Sequence, residues 1–194
     1  MNIDSFLRDP LSRRRFLQTS GVGVVGGSAL LLGACGGGGK ATTTSGSDER
    51  DKVDVEILNG ALDLELMVVA AYKAGAAKLR GDVLQTVKGF LEQEQEHADA
   101  LAQAIRDAAG TPNKAKSSYD FPRFVSQDAV LTYAIRLENT AVAAYIDALP
   151  KLTTGDLRAT AASILTAEAE HISVLRDALG LAPVPDAFVT GEAH

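Results

Sequence analysis

The chain has 194 residues, a net charge of -6, 46% hydrophobic and 23% charged residues, enough for one packed domain with an extension and too apolar for disorder throughout. The excess of 25 acidic over 19 basic residues argues against a nucleic-acid partner. One cysteine, Cys35, excludes an internal disulfide, an all-cysteine zinc site and a cysteine-ligated iron–sulfur cluster. No tryptophan, few aromatics and abundant alanine favour packed helices over an all-β core.

Residues 1–34 read as an address. Arginines precede a Gly-rich apolar run from Gly21 to Ala34, which is short for a membrane span. The order Ser12-Arg13-Arg14-Arg15-Phe16-Leu17 resembles the twin-arginine export signal, which is read by a receptor. Leu32-Gly33-Ala34-Cys35 resembles a bacterial lipobox, in which the cysteine is lipidated and becomes the new N-terminus. Cleavage by an ordinary signal peptidase, with Cys35 an incidental thiol, is the alternative. The resemblance implies the twin-arginine machinery as partner and a membrane-anchored lipoprotein outside the cytoplasm. Loss of residues 1–34 removes Arg8, Arg13, Arg14, Arg15, Asp4 and Asp9. The remaining 15 basic and 23 acidic residues carry -8, so the lipid rather than surface charge would hold the domain at a bilayer. Residues 35–52, with Gly36 to Gly39 and a Thr/Ser/Gly stretch, predict a flexible tether.

Residues 53–180 predict four helices. Leu58, Leu62, Val68, Val69 and Tyr72 recur at helical spacing over Val53 to Arg80. Asp82 and Gln85 form a candidate capping box for a second helix that Gly110 ends, with Val87, Phe90, Leu91, Leu101 and Ile105 on one face. Gly110 to Val125 has no periodicity. A third helix is expected from Ser126 to before Pro150, and a fourth from Thr154 to Gly180. Four such helices need a common core, which predicts an all-α four-helix bundle. Residues 181–194 read as a Gly-containing C-terminal tail whose last residue, His194, is expected to be solvated.

The bundle is a repeat of two helical hairpins. Leu64-Glu65 with Ala70-Ala71-Tyr72 recurs as Leu137-Glu138 with Ala143-Ala144-Tyr145, and Glu94-Gln95-Glu96-His97 recurs as Glu168-Ala169-Glu170-His171. Glu and His three apart project from one helix face and can reach one ion. At ~1.5 Å per residue, Glu65 and Glu94 stand roughly 21–22 Å from the first turn, and Glu138 and Glu168 about 22 Å from the second. Glu65, Glu94, Glu138 and Glu168 have apolar helical neighbours and are expected inside, whereas Glu92, Glu96 and Glu170 have polar ones and are expected outside. Ten residues of 194 are glutamate, so two chance Glu-x-x-His pairs would arise about once in 400. Four inward carboxylates with two imidazoles and no sulfur suit two iron or manganese ions.

The order Glu, Glu-x-x-His, Glu, Glu-x-x-His on four helices is similar to the ferritin-like di-iron and di-manganese carboxylate superfamily over residues 53–180. The resemblance implies metal ligands at Glu65, Glu94, His97, Glu138, Glu168 and His171, with Glu65 and Glu138 terminal and Glu94 and Glu168 bridging. It also implies a long crossover between the second and third helices. The lone cysteine excludes a rubredoxin-like electron-donor domain, and a lipid tether suits a storage cage poorly. The likeness is therefore to exported bacterial ferritin-like proteins, a family whose reactions are mostly unassigned; the leading reading is a dinuclear iron or manganese centre with oxidase- or peroxidase-type redox chemistry at the envelope. A non-enzymatic metal-binding or protein-contact lipoprotein is the other reading. Tyr72 and Tyr145, seven residues beyond Glu65 and Glu138, are expected as core tyrosines with bonded hydroxyls, or as supports or redox partners of the site.

Overall fold

The computed structural model describes residues 45–192, which form four long helices: α1 (Ser45–Gly75), α2 (Gly81–Asp107), α3 (Gln127–Ala148) and α4 (Gly155–Ala178). Among the described residues there is no strand, and no helix is long and apolar enough to cross a membrane. The export residues Arg13, Arg14, Phe16 and Leu17, Cys35 and His194 lie outside the described residues.

Each helix forms where an apolar stripe meets a stop signal. In α1 the buried stripe is Leu58, Leu62, Val68, Val69 and Tyr72. The helix begins at Ser45 rather than Val53. The Glu49-Arg50-Asp51-Lys52 run in the expected tether consists mostly of good helix formers, with acidic groups near the positive end of the helix dipole. It stops at Gly75, short of Arg80, and one 3-10 turn, Ala76–Lys78, follows. A side chain on Gly75 would collide with Val130, whose Cγ1 lies 2.5 Å from the position a Cβ would take. Gly75 therefore lets α3 come close.

The expected capping box at Asp82 does not form. Helix α2 starts two residues earlier, at Gly81, with Arg80 as its N-cap and no side-chain cap bond. Asp82 sits in the first turn, and the Arg80 N–H donates to Gln127 Oε1 of α3 at 3.1 Å. At the other end Ala109, not Gly110, takes the left-handed backbone, at φ 57°. Gly110 closes the turn by donating to Ile105 O at 2.8 Å, and its missing Cβ leaves room for Val55 of α1. Ser126 and Thr154 cap α3 and α4 as expected, accepting from Ala129 N and Leu157 N. Gly180, at φ 69°, ends the segment after α4.

The segment 108–126 is the long crossover. Its partners move along α1: Val55 faces Gly110, the Asn59 side chain bonds Thr111 O and Asn113 N, and Asp63 accepts from Asn113 Nδ2 at 3.0 Å. Phe121 and Phe124 then pack on Tyr133, and Gln127 meets Arg80. Helix α3 therefore starts beside the end of α1 and runs antiparallel to it. Helix α1 packs on α2, α3 on α4, α1 on α3, and α2 more lightly on α4. Buried Asp54 fastens the far end, accepting from Thr153 N at 2.9 Å and Thr153 Oγ1 at 2.5 Å.

The core is in two blocks. One holds Val68, Tyr72, Leu79, Val87, Phe90, Leu131 and Leu175. The other holds Leu58, Leu62, Leu101, Ile105, Tyr145 and Ile164. The repeated glutamates and histidines fall between them in sequence on every helix, so the apolar blocks close the site from above and below. The expected tail doubles back on α3 and α4: Arg176 Nε donates to Ala182 O at 2.8 Å, and Gly191 lies against Asn139 O and Ala143.

Candidate metal centre

One turn from each helix builds the centre. Glu65 comes from α1, Glu94 and His97 from α2, Glu138 from α3, and Glu168 and His171 from α4. All four carboxylates are 0% exposed. Glu92, Glu96 and Glu170 are exposed, as their polar neighbours imply.

Each imidazole faces three carboxylates from three helices. His97 Nδ1 lies 3.0 Å from Glu168 Oε1, 3.5 Å from Glu94 Oε2 and 4.0 Å from Glu65 Oε2. His171 Nδ1 lies 2.9 Å from Glu94 Oε1, 3.4 Å from Glu168 Oε2 and 3.7 Å from Glu138 Oε1. Two sets of four ligand atoms result, each within 4.8 Å of one another: Glu65, Glu94, His97, Glu168, and Glu94, Glu138, Glu168, His171. Glu94 and Glu168 belong to both.

Close approach does not satisfy these atoms. Glu65 Oε2, Glu138 Oε2, both oxygens of Glu94 and of Glu168, and Nδ1 of both histidines are buried without a hydrogen-bond partner. Buried polar atoms are normally paired, so such a set in one place signals a missing ligand. Six residues that the sequence pattern selects supply all of it.

The tyrosines each bond one oxygen of Glu65 or Glu138, and they do so across the hairpins. Tyr72 of α1 donates to Glu138 Oε1 of α3, and Tyr145 of α3 donates to Glu65 Oε1 of α1. A buried hydroxyl with a carboxylate partner is what the sequence position suggested; the exchange between hairpins is new. Gln93 had no expected role. Its Oε1 lies 2.7 Å from His171 Nε2, which turns Nδ1 inward, and the Phe90 ring packs 4.1 Å from the imidazole. Its position directly before Glu94 was the available signal.

Protonation follows from this geometry in the metal-free state. Burial pushes Glu65 and Glu138 well above the ordinary carboxylate range, and the Glu168 and Glu94 charges add to it. Burial acts upward on Glu94 and Glu168 too, but the facing imidazoles outweigh it, lowering Glu94 and holding Glu168 at about 2. Burial depresses the imidazoles, yet Glu168 and Glu94 prevail, raising His171 and taking His97 to about 10. Burial, then Glu138 and Glu65, raises the Tyr72 and Tyr145 hydroxyls well above their usual range. In the metal-free centre these shifts favour the protonated forms of both imidazoles and of Glu65 and Glu138, and the ionised forms of Glu94 and Glu168.

These features define a class: a ferritin-like four-helix bundle with a carboxylate–imidazole cluster between two apolar blocks. The family model for the ferritin-like domain matches residues 53–181, and the chain belongs to that family. It is similar to a conserved hypothetical protein of Mycobacterium tuberculosis, with 25% identity over 72% of this chain and 99% of that one, at a TM-score of 0.64. It is also similar to a ferritin-like, diiron-carboxylate protein of Bacillus anthracis, with 26% identity over 67% and 97% and a TM-score of 0.57. A bacterioferritin-related dodecameric thioferritin of Bacteroides fragilis has 27% identity over 67% and 86%, at a TM-score of 0.60. No curated protein matches the sequence.

Proposed function

We propose that this chain binds two iron or manganese ions in the six-residue centre and uses them for oxidase- or peroxidase-type redox chemistry, exported and anchored at the cell envelope. The observation that carries the metal reading is the set of eight buried, unpartnered ligand atoms. Each such atom costs about 1–3 kcal/mol, more when charged, and cations between the helices would offset that cost. Oxygen and imidazole donors without sulfur favour iron or manganese over copper or structural zinc. Glu65 with His97 would complete one ligand set, Glu138 with His171 the other, and Glu94 and Glu168 would serve both. The similarity to a diiron-carboxylate protein supports the same reading.

When bound, the ions supply one-electron redox steps with a small oxidant. The chain's own groups do the rest. Glu94 and Glu168 keep negative charge where cations sit, and Tyr72 and Tyr145 hold one oxygen of Glu138 and Glu65 through their hydroxyl protons. The apolar blocks keep bulk water from the buried carboxylates. The two tyrosine hydroxyls are buried against Glu138 and Glu65, and burial raises them well above their usual range, so they keep their protons. Export and anchoring rest on the signal resemblance of residues 12–17 and 32–35.

Elemental analysis of protein isolated after native export tests the metal reading. Wild type is expected to carry two ions per chain, His97→Ala and His171→Ala one or none, and Glu96→Gln, on the exposed face, two. Two ions retained in both histidine variants would contradict the site. Peroxide turnover, or ferrous oxidation faster than buffer, separates the redox reading from non-enzymatic metal binding.

A further inference from the structure

The internal repeat lets the two halves of the centre be compared position by position, and they differ. An offset of 74 residues pairs Glu94 with Glu168 and His97 with His171; it therefore pairs Gln93 with Ala167 and Phe90 with Ile164. His171 is 2% exposed, bonded to Gln93 through Nε2 and packed on Phe90. His97 is 14% exposed, and among the described residues its Nε2 has no hydrogen bond. The methyl of Ala167 cannot accept one.

A neutral histidine that ligates through Nδ1 carries its proton on Nε2. An acceptor at Nε2 holds that proton in place and fixes the ring orientation before the ion arrives; without it, the rotamer is settled only on binding. Gln93 Oε1 supplies a fixed acceptor for His171, and among the described residues no protein group supplies one for His97, whose exposed edge meets solvent. The more exposed edge of His97 also gives solvent, and hence an ion, a shorter way out.

We infer that the two ligand sets hold metal unequally: the set with Glu138 and His171 is tight, the set with Glu65 and His97 is weaker and exchanges, and Gln93 is the positioning residue that creates the difference. This rests on the metal reading above. The functional consequence is a division of labour between a resident ion and an exchangeable one, with the same carboxylates Glu94 and Glu168 coupling them.

The experiment is a titration of the metal-free, full-length protein with manganous ion against a competing chelator, counting ions bound at each step. Wild type is expected to load in two steps at least tenfold apart, with His171→Ala removing the tight step and His97→Ala the weak one. Gln93→Ala should weaken the tight step by roughly 10- to 100-fold and leave the weak step in place. Gln93→Glu, which keeps an acceptor, should restore it, and Ala167→Gln should narrow the gap by tightening the weak step. Two indistinguishable steps in wild type, or an equal effect of Gln93→Ala on both, would overturn the inference while leaving the centre intact. Where manganous ion does not bind, the same two steps are sought with ferrous ion under anaerobic conditions, and wild-type protein that binds neither ion would overturn the inference and the metal reading together.

Discussion

Stripping the metal should invert the pH dependence of stability. In the metal-free fold His97 is raised from 6.5 to about 10. A group whose folded pKa is raised contributes stability that is complete below its unfolded value and disappears as pH climbs through its folded value. At about 1.4 kcal/mol per pKa unit, His97 alone should lose on the order of 3 kcal/mol between pH 6 and pH 9. Glu65 and Glu138, also raised, act in the same direction. Glu168, held at about 2, acts oppositely, but only below the ordinary carboxylate range. The metal-free form should therefore be most stable near the ordinary carboxylate value of 4.5 and lose stability from there upward, with His97 adding its share above its ordinary value of 6.5. For a domain of this size that corresponds to a melting temperature lower by roughly 6–12 °C at pH 9 than at pH 6. The loaded form should do the reverse on acidification, because protons compete with metal for the same atoms. Calorimetric melts of both forms from pH 5 to pH 9 provide the assay. A metal-free form that gains or holds stability as pH rises from 6 to 9 would refute the clustered-carboxylate reasoning.

Other expectations are more local. Tyr72→Phe leaves Glu138 Oε1 without its donor, and Tyr145→Phe does the same to Glu65; each should weaken metal binding by roughly 10- to 100-fold, read by chelator competition. Asp54→Ala removes both acceptors of Thr153 and should cost about 1–3 kcal/mol in denaturant unfolding, with the metal count of the folded protein unchanged. Replacing Arg13 and Arg14 with Lys should retain the protein in the cytoplasm, and Cys35→Ala should release it from the membrane fraction; unchanged fractionation of both would remove the export and anchoring proposals.

The centre was legible because its pattern is local. Glu94 and His97 share a helix face by spacing alone, Glu168 and His171 repeat it, and apolar neighbours separate inward from outward glutamates. Ser126 and Thr154 were legible for the same reason: an N-cap bonds within its own turn. Long-range partners were not. Nothing near Asp54 in sequence points to Thr153, 99 residues away, and the exchange of tyrosines between hairpins depends on α1 lying beside α3. Turn chemistry misled where tertiary contacts outweighed propensity. Asp82 falls in the first turn, and the cap position goes to Arg80, whose N–H is bonded to Gln127 across the bundle. Ala109 accepted the left-handed backbone that Gly110 was expected to take, while Gly110 made room for Val55. The tail looked free because its anchors, Ala143 and Arg176, sit on helices with no periodic signal for it.

The central claim is that two ions sit between these six side chains, and anomalous diffraction at the iron and manganese edges, on crystals of protein isolated after native export, tests it most directly. The account expects two peaks at mid-bundle, one beside Glu65 and His97 and one beside Glu138 and His171, both within reach of Glu94 and Glu168. A well-ordered cluster with no anomalous peak at either edge, in protein supplied with both metals, would contradict it.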